Sequence, residues 1–537
     1  MTGFSSLDWW VVAAYFLVTI VVAWFVEKRD GSETTSKDFF LAGRNTGWFI
    51  VGASLFASNI GSEHLVGLAG SGASSGIAVA QFEILAGLVL LLLGWFFVPF
   101  YLRSGVFTMP EFLERRYSKG PRNYLAAMSI ISYVLTKVSV TIAAGGIVFE
   151  TLMGINFWTG ALIVVVATGI YTLWGGMRAV LYTDMIQMFF LLAGAIAVTL
   201  IGLDRIGGWN AMVAVAGEGF FDLWRPSTHP DFPWTGILFG APILGIWYWC
   251  TDQFIVQRVL AAKNIKEARR GAIFAGFLKQ LPLFIFVIPG VIAYALVQSG
   301  ELHLEKPDQA LPTLVATLLP AGLRGLVAAG MLAALMSSLS SVFNSCSTLF
   351  TIDIYRRLRP EASEKTLVRV GRWATAVVVL LGILWIPFMD LISGQLFTYI
   401  QSVQAYIAPP VAAIFLVGIL WSRVNARGAI ASLAVGFAVG VGRLALETQK
   451  TGLDGWMLGF VSINFLHFAA LLFVLCCVVL ILVSFSAPPQ PETQIENLTL
   501  QSVTVEGRES APANRLDVVL SVVLVGLIGL IWWYFSN

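Results

Sequence analysis

Residues Ser54 to Gly76 read SLFASNIGSEHLVGLAGSGASSG and lie within an apolar segment long enough to cross a bilayer. The stretch nevertheless carries Asn59, Glu63 and His64, together with five glycines. Backbone N–H and C=O groups that a helix break frees cannot bond to lipid, so such breaks occur around a binding site or a wet cavity. Close packing against a neighbouring helix is the alternative explanation for the glycines. Because ionisable groups within a membrane are costly and usually functional, the pattern favours an interrupted helix at a binding site.

The composition of the whole chain indicates a membrane protein with many spans. Of its 537 residues, 57% are hydrophobic and only 12% are charged, whereas a soluble protein carries about 25% charged residues. A spanning helix needs about 20 mainly apolar residues, and this rule yields about 14 candidate spans. The four cysteines lie in apolar segments and fit neither a metal-ligand spacing nor a disulfide framework. We therefore expect this protein to lie in a lipid bilayer and to bind no nucleic acid.

The basic residues predict how the chain is oriented. Alternate loops on one side hold about 25 of the 33 Lys and Arg residues, against about six on the other side. Under the positive-inside rule the basic loops are cytoplasmic, which places both termini outside. The sequon Asn497-Leu498-Thr499 then falls in the cytoplasm. We expect a multi-pass protein of the plasma membrane, with a bacterial inner membrane favoured.

Two interrupted helices in corresponding positions predict an inverted repeat. The first is the second span, 45–74, and the other lies five spans later at 236–262, where glycines and Pro242 precede the polar and aromatic run Trp247–Gln253. The expected divisions are an extra amino-terminal helix (1–30), a first repeat (45–204), a second repeat (236–421), additional helices (422–485), a cytoplasmic linker (486–513) and a carboxy-terminal helix (514–537). The polar linker, rich in Pro, Glu and Gln, is expected to be mobile.

Charged side chains also occur in other apolar spans. Glu83, Lys137, Asp184 and Lys279 each cost on the order of 2.5–3.5 kcal/mol at mid-bilayer on insertion scales, so each should face a partner or water. Structural ion pairs are the alternative, above all for Glu83 and Asp184, which lie near span ends. Lys279 lies in the middle of its span and cannot easily reach the interface, which favours a function.

The ninth span contains four hydroxyl groups within five residues, at Ser337, Ser338, Ser340 and Ser341. The spacing places Ser337, Ser340 and Ser341 on one side of a helix. Hydroxyl and carbonyl oxygens suit a hard cation such as Na⁺. A serine-rich face that packs against another helix is the alternative.

With these motifs the sequence resembles the sodium/solute symporter family, and within it the sodium/glucose cotransporter branch. The likeness runs from about residue 35 to 445. It implies an all-α, LeuT-like fold with discontinuous helices, a core of five plus five helices, one helix before the core and three after it. The motifs that carry the resemblance are Ala57–His64, Trp247–Gln253, Ser337–Ser345, Ile400–Ser402 and Tyr406–Pro410.

The resemblance also implies a role for many of the polar residues. Tyr248 is similar to the aromatic gate beneath the sugar, and Leu68, Phe82 and Phe397 are similar to the gate above it. Gly245 and Gln404 depart from the family pattern, and the resemblance implies no role for Glu63. The side chains that it implies for contact with a sugar are Asn59, His64, Glu83, Tyr248, Trp249, Lys279 and Gln401.

Two sodium sites follow from the same resemblance. The first involves the backbone carbonyls of Ala57 and Ile60, with Ala334, Ser337 and Ser338. The second is implied for Asp184, Ser337, Ser340 and Ser341.

The sequence therefore predicts a symporter that imports a hexose of the glucose or galactose type by alternating access, with two Na⁺ per sugar. A myo-inositol or other polyol symporter is the alternative within this class. A sodium-linked sugar sensor or channel without transport is the alternative from another class. We expect no enzyme activity, because the sequence contains no nucleophile–base or metal constellation.

Overall fold

The computed structural model describes residues 4–29, 40–61, 63–386, 396–447, 449–503 and 514–536. Within these ranges the chain is almost entirely helical and forms no β-strand. Ten helices in the described part are long and apolar enough to cross a membrane. Shorter apolar helices add to them at Ser6–Thr19, Trp48–Asn59 and Phe157–Gly169. The prediction of an all-α, multi-pass membrane protein is thus confirmed, whereas the count of 14 spans, the domain boundaries and the outside location of the termini stay predictions.

The amino-terminal part of the chain contains ten helices among the described residues. They are α1 (Ser6–Arg29), α2 (Trp48–Asn59), α3 (Ala69–Ser75), α4 (Gln81–Leu92), α5 (Val98–Ser104), α6 (Met109–Arg116), α7 (Lys119–Tyr133), α8 (Ser139–Met153), α9 (Phe157–Ile206) and α10 (Trp209–Ala216). π-Helical turns precede α3, join α4 to α5 and join α7 to α8, at Glu63–Leu68, Leu93–Phe97 and Val134–Val138.

The second part of the chain repeats this use of short helices joined by π-helical turns. Its helices are α11 (Trp234–Phe239), α12 (Ala241–Gly245), α13 (Gln253–Leu260), α14 (Ile265–Leu278), α15 (Ile288–Gln298), α16 (Ala310–Leu318), α17 (Leu323–Thr348), α18 (Glu364–Trp385), α19 (Leu396–Leu420), α20 (Ala426–Glu447), α21 (Gly455–Ser462), α22 (Phe465–Phe485) and α23 (Arg515–Tyr534). The π-helical turns lie at Ile246–Thr251, Leu283–Val287 and Leu349–Tyr355.

Both helices that were predicted to be interrupted are interrupted. The first break follows Asn59, where Ile60 leaves the helical region (φ −73°, ψ 93°). Gly61 is needed at this break, since a Cβ there would collide with the hydroxyl of Ser338 on α17. The second break is at Asp252 (φ −76°, ψ 126°), whose carboxylate accepts a hydrogen bond from the first turn of α13. Each break leaves backbone groups outside the helical ladder, next to buried polar side chains.

The sequence predicts two spans, 156–175 and 178–203, joined by a short connection. The structure places both in one helical run of 50 residues, α9, in which Phe157–Gly169 and Val180–Ile206 are separate apolar helices. No proline occurs in this run, so no backbone donor is lost where the connection was expected.

The described residues of the expected linker, 486–503, pack against the rest of the chain, and its mobility stays a prediction. Ile495 and Leu498 are buried, and the Gln494 side chain donates a hydrogen bond of 3.1 Å to the carbonyl of Tyr117. A capping box formed by Thr499 and Ser502 begins a short helical turn. Polar composition indicated disorder, but the few apolar and amide side chains are placed where they can pack against the loop before α7.

Candidate solute and ion sites

Three helical segments present one face each to a common cavity. The lining residues are spaced three or four apart along each segment, so they form successive turns of one helix face. Residues of the first break complete the wall. The lining comprises Phe82, Glu83, Leu85, Ala86 and Val89 from α4; Ala241, Leu244, Gly245, Tyr248 and Trp249 from α12 and its π-helical turn; Phe397, Ile400, Gln401 and Gln404 from α19; and Asn59, Glu63 and His64.

A buried polar cluster surrounds Lys279, which directly follows α14. The ammonium donates hydrogen bonds to Glu83 and to the Asn59 amide oxygen. It lies 3.2 Å from Nε2 of His64, which in turn lies 3.1 Å from the Glu83 carboxylate. The Trp249 ring centroid is 5.4 Å from the same ammonium. The structure thus brings together five of the residues for which the sequence predicted sugar contact.

This cluster retains hydrogen-bonding capacity for a ligand. Nδ1 of His64 is buried and has no hydrogen-bond partner among the described residues. A buried polar atom without a partner is costly, so a ligand hydroxyl that bonds to it is favoured. Gln401 adds an amide on the opposite helix, α19, on the cavity wall. Carboxylate, amide and imidazole groups around one space provide the mixture of donors and acceptors that a polyhydroxylated solute needs.

A second polar group, which we call the polar floor, consists of Asn59, Glu63, Lys137 and Tyr248. The Tyr248 hydroxyl accepts a hydrogen bond of 2.8 Å from the Asn59 amide and one of 3.2 Å from the Lys137 ammonium. Lys137 also forms an ion pair of 3.0 Å with Glu63. Sequence reasoning found no role for Glu63 and no partner for Lys137, because the two are 74 positions apart.

The other end of the cavity is covered by a phenylalanine lid, formed by Phe82, Phe232 and Phe397. The ring centroids of Phe82 and Phe397 are 5.5 Å apart and the rings meet edge to face. Phe232 lies 6.1 Å and 6.3 Å from these two rings. Leu68, predicted as part of the upper gate, is buried but does not line the cavity.

Sequence reasoning missed Phe232 because it lies in a loop between membrane segments. The ring is nevertheless only 1% exposed. The sequence carried no signal for this burial, because a single aromatic residue in a polar loop is common on protein surfaces.

The candidate ion site is centred on Asp184 of α9. Its buried carboxylate accepts hydrogen bonds from Ser54 (2.6 Å) and Ser58 (2.7 Å) of α2, and from Ser337 of α17. Ser341 joins this group through the Ser58 hydroxyl, at 3.2 Å.

Ser340 departs from the expected arrangement at this site. Its hydroxyl donates to the Ser337 carbonyl of its own helix, at 2.9 Å. Ser54 and Ser58 are hydrogen-bond donors to Asp184 that sequence reasoning missed, although their spacing of four residues on the helix before the break was a signal. Arg258 is buried and donates to the Ser58 hydroxyl at 2.8 Å.

Ala57, Ile60 and Ser338 of the other predicted sodium site lie at the first break. Ala57 and Ile60 belong to the end of α2, where the last carbonyls of a helix have no partner within it. Ser338 of α17 reaches this end, since its hydroxyl donates to the Ser58 carbonyl at 2.9 Å. Ala334 and Ser337 lie on the same buried helix. Both oxygen-rich groups therefore adjoin the segment that also carries Asn59, Glu63 and His64.

Broken membrane helices around a buried polar cavity define a secondary solute transporter. The chain belongs to the sodium:solute symporter family, whose model matches residues 39–436. Na⁺ is accordingly the co-transported ion of this class.

Curated relatives agree with this assignment. The chain is 39% identical over 537 residues to sodium/glucose cotransporter 1 of Oryctolagus cuniculus, covering 92% of this chain and 81% of the relative. It is also 39% identical over 546 residues to the sodium/myo-inositol cotransporter of Mus musculus, covering 93% of this chain and 76% of the relative.

Two solved structures share the fold. One is a Na⁺-coupled sialic acid symporter in a substrate-bound outward-open state, with a TM-score of 0.77, 23% identity and coverage of 91% of this chain and 99% of that chain. The other is a nucleobase-cation-symport-1 family transporter in a closed conformation with bromovinylhydantoin bound, with a TM-score of 0.55, 16% identity and coverage of 86% and 97%.

Proposed function

We propose that this protein couples the import of an uncharged hexose of the glucose or galactose type to two Na⁺ ions, by alternating access. The observation that carries this proposal is the charge balance around the cavity. Each carboxylate that lines it has a lysine as a direct partner: Glu83 pairs with Lys279, and Glu63 pairs with Lys137. A charged solute would leave an unpaired charge in a buried space, which costs several kcal/mol.

The positions of the other side chains support a sugar within this class. Trp249 presents an aromatic surface to the cavity, and Gln401 presents an amide from the opposite wall. Sugars combine C–H faces that pack on aromatic rings with hydroxyl groups that need both donors and acceptors.

Sodium coupling follows from the position of both ion groups. They adjoin the first break, and Asn59 at the end of α2 contacts both the Lys279 cluster and the Tyr248 hydroxyl. A cation that orders this break therefore orders the sugar site as well. At 100 mV and a tenfold gradient each Na⁺ supplies about 2.3 plus 1.4 kcal/mol, so two ions sustain a solute ratio of about 10⁵.

Alternating access requires two gates. With the predicted orientation, the phenylalanine lid faces outside and the polar floor faces the cytoplasm. We propose that Na⁺ favours the conformation in which the lid is open, and that sugar binding closes the lid before the floor opens. Such coupling needs Na⁺ and sugar to prefer the same conformation.

Uptake into proteoliposomes tests the proposal. We expect labelled glucose or galactose to accumulate against its gradient only when Na⁺ is present outside. Accumulation that is insensitive to replacing Na⁺ with choline would refute sodium coupling. Na⁺ currents that respond to sugar without any uptake would instead identify a sensor or channel.

A polyol is the second candidate solute. Gly245 leaves one wall of the cavity without a side chain, and a Cβ there would lie 3.1 Å from Val89. The chain is 39% identical both to a sodium/glucose cotransporter and to a sodium/myo-inositol cotransporter, so a hexose and a polyol are both candidates for this space. Competition of unlabelled myo-inositol against labelled glucose distinguishes the two, since the preferred solute inhibits at the lower concentration.

A further inference from the structure

We propose that the Lys137–Glu63 ion pair is a latch that holds Tyr248 in the closed polar floor, and that its release is required for the solute to leave. This inference rests on the proposed function and deepens it, because it assigns a conformational role to two residues that sodium and sugar binding do not use. The pair is almost completely buried, with 4% of the lysine and 11% of the glutamate side chain exposed.

The latch joins the two helix breaks. Glu63 is the second residue after the Ile60–Gly61 break, and Asn59 is the last helical residue before it. Tyr248 precedes the other break, at Asp252. Lys137 contacts both sides, since its ammonium bonds to Glu63 and to Tyr248.

The surroundings of the ammonium extend this link beyond Tyr248. Lys137 lies 4.5 Å from the Tyr248 ring centroid and 4.6 Å from that of Phe254, which follows the Asp252 break. Cation–π contacts of desolvated lysines add to the ion pair. Lys137 itself lies in the π-helical turn Val134–Val138, a feature that occurs frequently at functional sites. One side chain from a third helix thus ties the end of one broken helix to both halves of the other.

The energetic consequence is a discrete switch. Removing one partner of a buried ion pair leaves an uncompensated charge, so Lys137 and Glu63 stay together or both become solvated. Tyr248 cannot move away from the cavity without losing the Lys137 and Asn59 hydrogen bonds together. The floor therefore opens as a unit when water enters it, and it stays shut while the latch is intact.

Three variants test the latch. Glu63→Gln removes the charge but keeps the size, Glu63→Gln with Lys137→Met removes both charges, and Glu63→Asp restores the charge on a shorter side chain. The first measurement is Na⁺ efflux from proteoliposomes without sugar. We expect about tenfold faster leak for both charge-removing variants, because coupling between close charge pairs is of this size or larger, and partial rescue by Glu63→Asp.

A second measurement does not depend on the identity of the sugar. Cys250 lies in the same π-helical turn as Tyr248, is fully buried, and its thiol is 3.7 Å from the carbonyl of Val89, a residue of the cavity lining. Its alkylation by N-ethylmaleimide, located by mass spectrometry, reports opening of the floor, and we expect about tenfold faster labelling in the charge-removing variants.

The matched control is another buried ion pair far from the cavity. Asp8 and Arg324 lie 3.0 Å apart and are both buried. Asp8→Asn is expected to lower thermal stability without raising the Na⁺ leak or the labelling of Cys250.

Unchanged leak and unchanged labelling in both charge-removing variants, with normal sodium-dependent uptake by the wild type, overturn the latch and leave the proposed function intact. A wild type without sodium-dependent uptake overturns the proposed function instead, whatever the labelling rates are. A rise in the KM for sugar with neither leak nor labelling changed would make Glu63 a simple solute contact and also overturn the latch.

Discussion

The polar floor and the phenylalanine lid close the same cavity by opposite means. The floor is held by directional bonds, since Tyr248 accepts from both Asn59 and Lys137. The lid is held by aromatic rings that meet edge to face, and the described contacts among its three rings include no hydrogen bond. Aromatic pairs contribute about 0.5–1.5 kcal/mol each, whereas breaking one side of a buried ion pair costs about 3–5 kcal/mol.

This difference in bonding determines how the lid and the floor can rearrange. Apolar contacts lose little when rings slide, so the lid can close over solutes of somewhat different shape. Hydrogen-bonded ion pairs have few favourable arrangements, so the floor has two distinct states. We therefore propose that the polar part of the cavity sets selectivity and coupling, and that the lid seals it.

The largest expected effect comes from the polar cluster above the floor. Lys279→Met removes the partner of Glu83 and leaves its carboxylate buried without a counter-charge. We expect uptake to fall more than about 100-fold, since the cost of 3–5 kcal/mol corresponds to factors of that size. Initial rates of sodium-dependent uptake measure it, with surface amounts of protein compared by immunoblot. Lys279→Arg is the control that keeps the charge, and near-normal uptake by Lys279→Met would contradict the assigned pairing.

Sodium coupling should depend on the group that supports the first break. Asp184→Ala removes the acceptor of the Ser54, Ser58 and Ser337 hydroxyls. We expect the Hill coefficient for Na⁺ to fall from about two to about one, and the uptake rate at fixed sodium to fall about tenfold. A sodium titration of uptake measures both. Ser345→Ala is the matched control, since Ser345 lies on the same helix outside the predicted ion site and donates to the Ser341 carbonyl at 2.9 Å; a coefficient near two in Asp184→Ala would exclude a second sodium at this place.

The lid should show smaller and more graded effects. Phe232→Ala removes a buried ring from the lid but no polar contact with the cavity. We expect the KM for sugar to rise about three- to tenfold with little change in sodium dependence, because the loss is one or two aromatic contacts. Phe232→Leu should recover most of the affinity. A loss of uptake as large as that of Lys279→Met would show that the lid is not merely a seal.

The smallest expected effect is a pH dependence of the loop that carries His229 and Phe232. Nδ1 of His229 accepts hydrogen bonds from the backbone N–H groups of Asp231 (3.3 Å) and Phe232 (3.1 Å), so the closed loop needs the neutral ring. Burial holds the pKa of His229 below its usual value of 6.5, the nearby Arg225 lowers it further, and Asp231 opposes this shift. The closed loop is therefore favoured above about pH 6.5 and loses this support as pH falls below it.

Sugar affinity measured between pH 7.5 and 5.5 checks this dependence. We expect the KM to rise about two- to threefold at the acid end, as one neutral-ring hydrogen-bond pair is lost. His229→Asn keeps an acceptor that does not titrate, so its KM should stay level over the same range. An equal pH dependence in both proteins would assign the effect to another group.

Several features followed from local sequence alone. Hydropathy and the polar composition of 45–74 and 236–262 predicted two interrupted membrane helices, and both breaks occur. Glu83 and Lys279 of the polar cluster were likewise singled out, because a charge in an apolar segment is conspicuous wherever it lies, whereas sugar contact was implied by the family resemblance. Helix period and hydrophobicity act over a few residues, which is why these predictions succeeded.

The partners of these residues depended on packing between distant segments. Glu63 meets Lys137 across 74 positions, and Asp184 meets Ser54 and Ser58 across 130 and 126 positions. Phe232 lies in a loop that hydropathy places in water, yet its ring is buried against Phe82 and Phe397 of the cavity lining. No local sequence pattern predicts such contacts, because they depend on how the helices pack and on which buried polar groups must then be hydrogen-bonded. The composition of the stretch with Asn59, Glu63 and His64 thus predicted a binding site, whereas only the folded structure shows that Glu63 lies beside Lys137 in the polar floor.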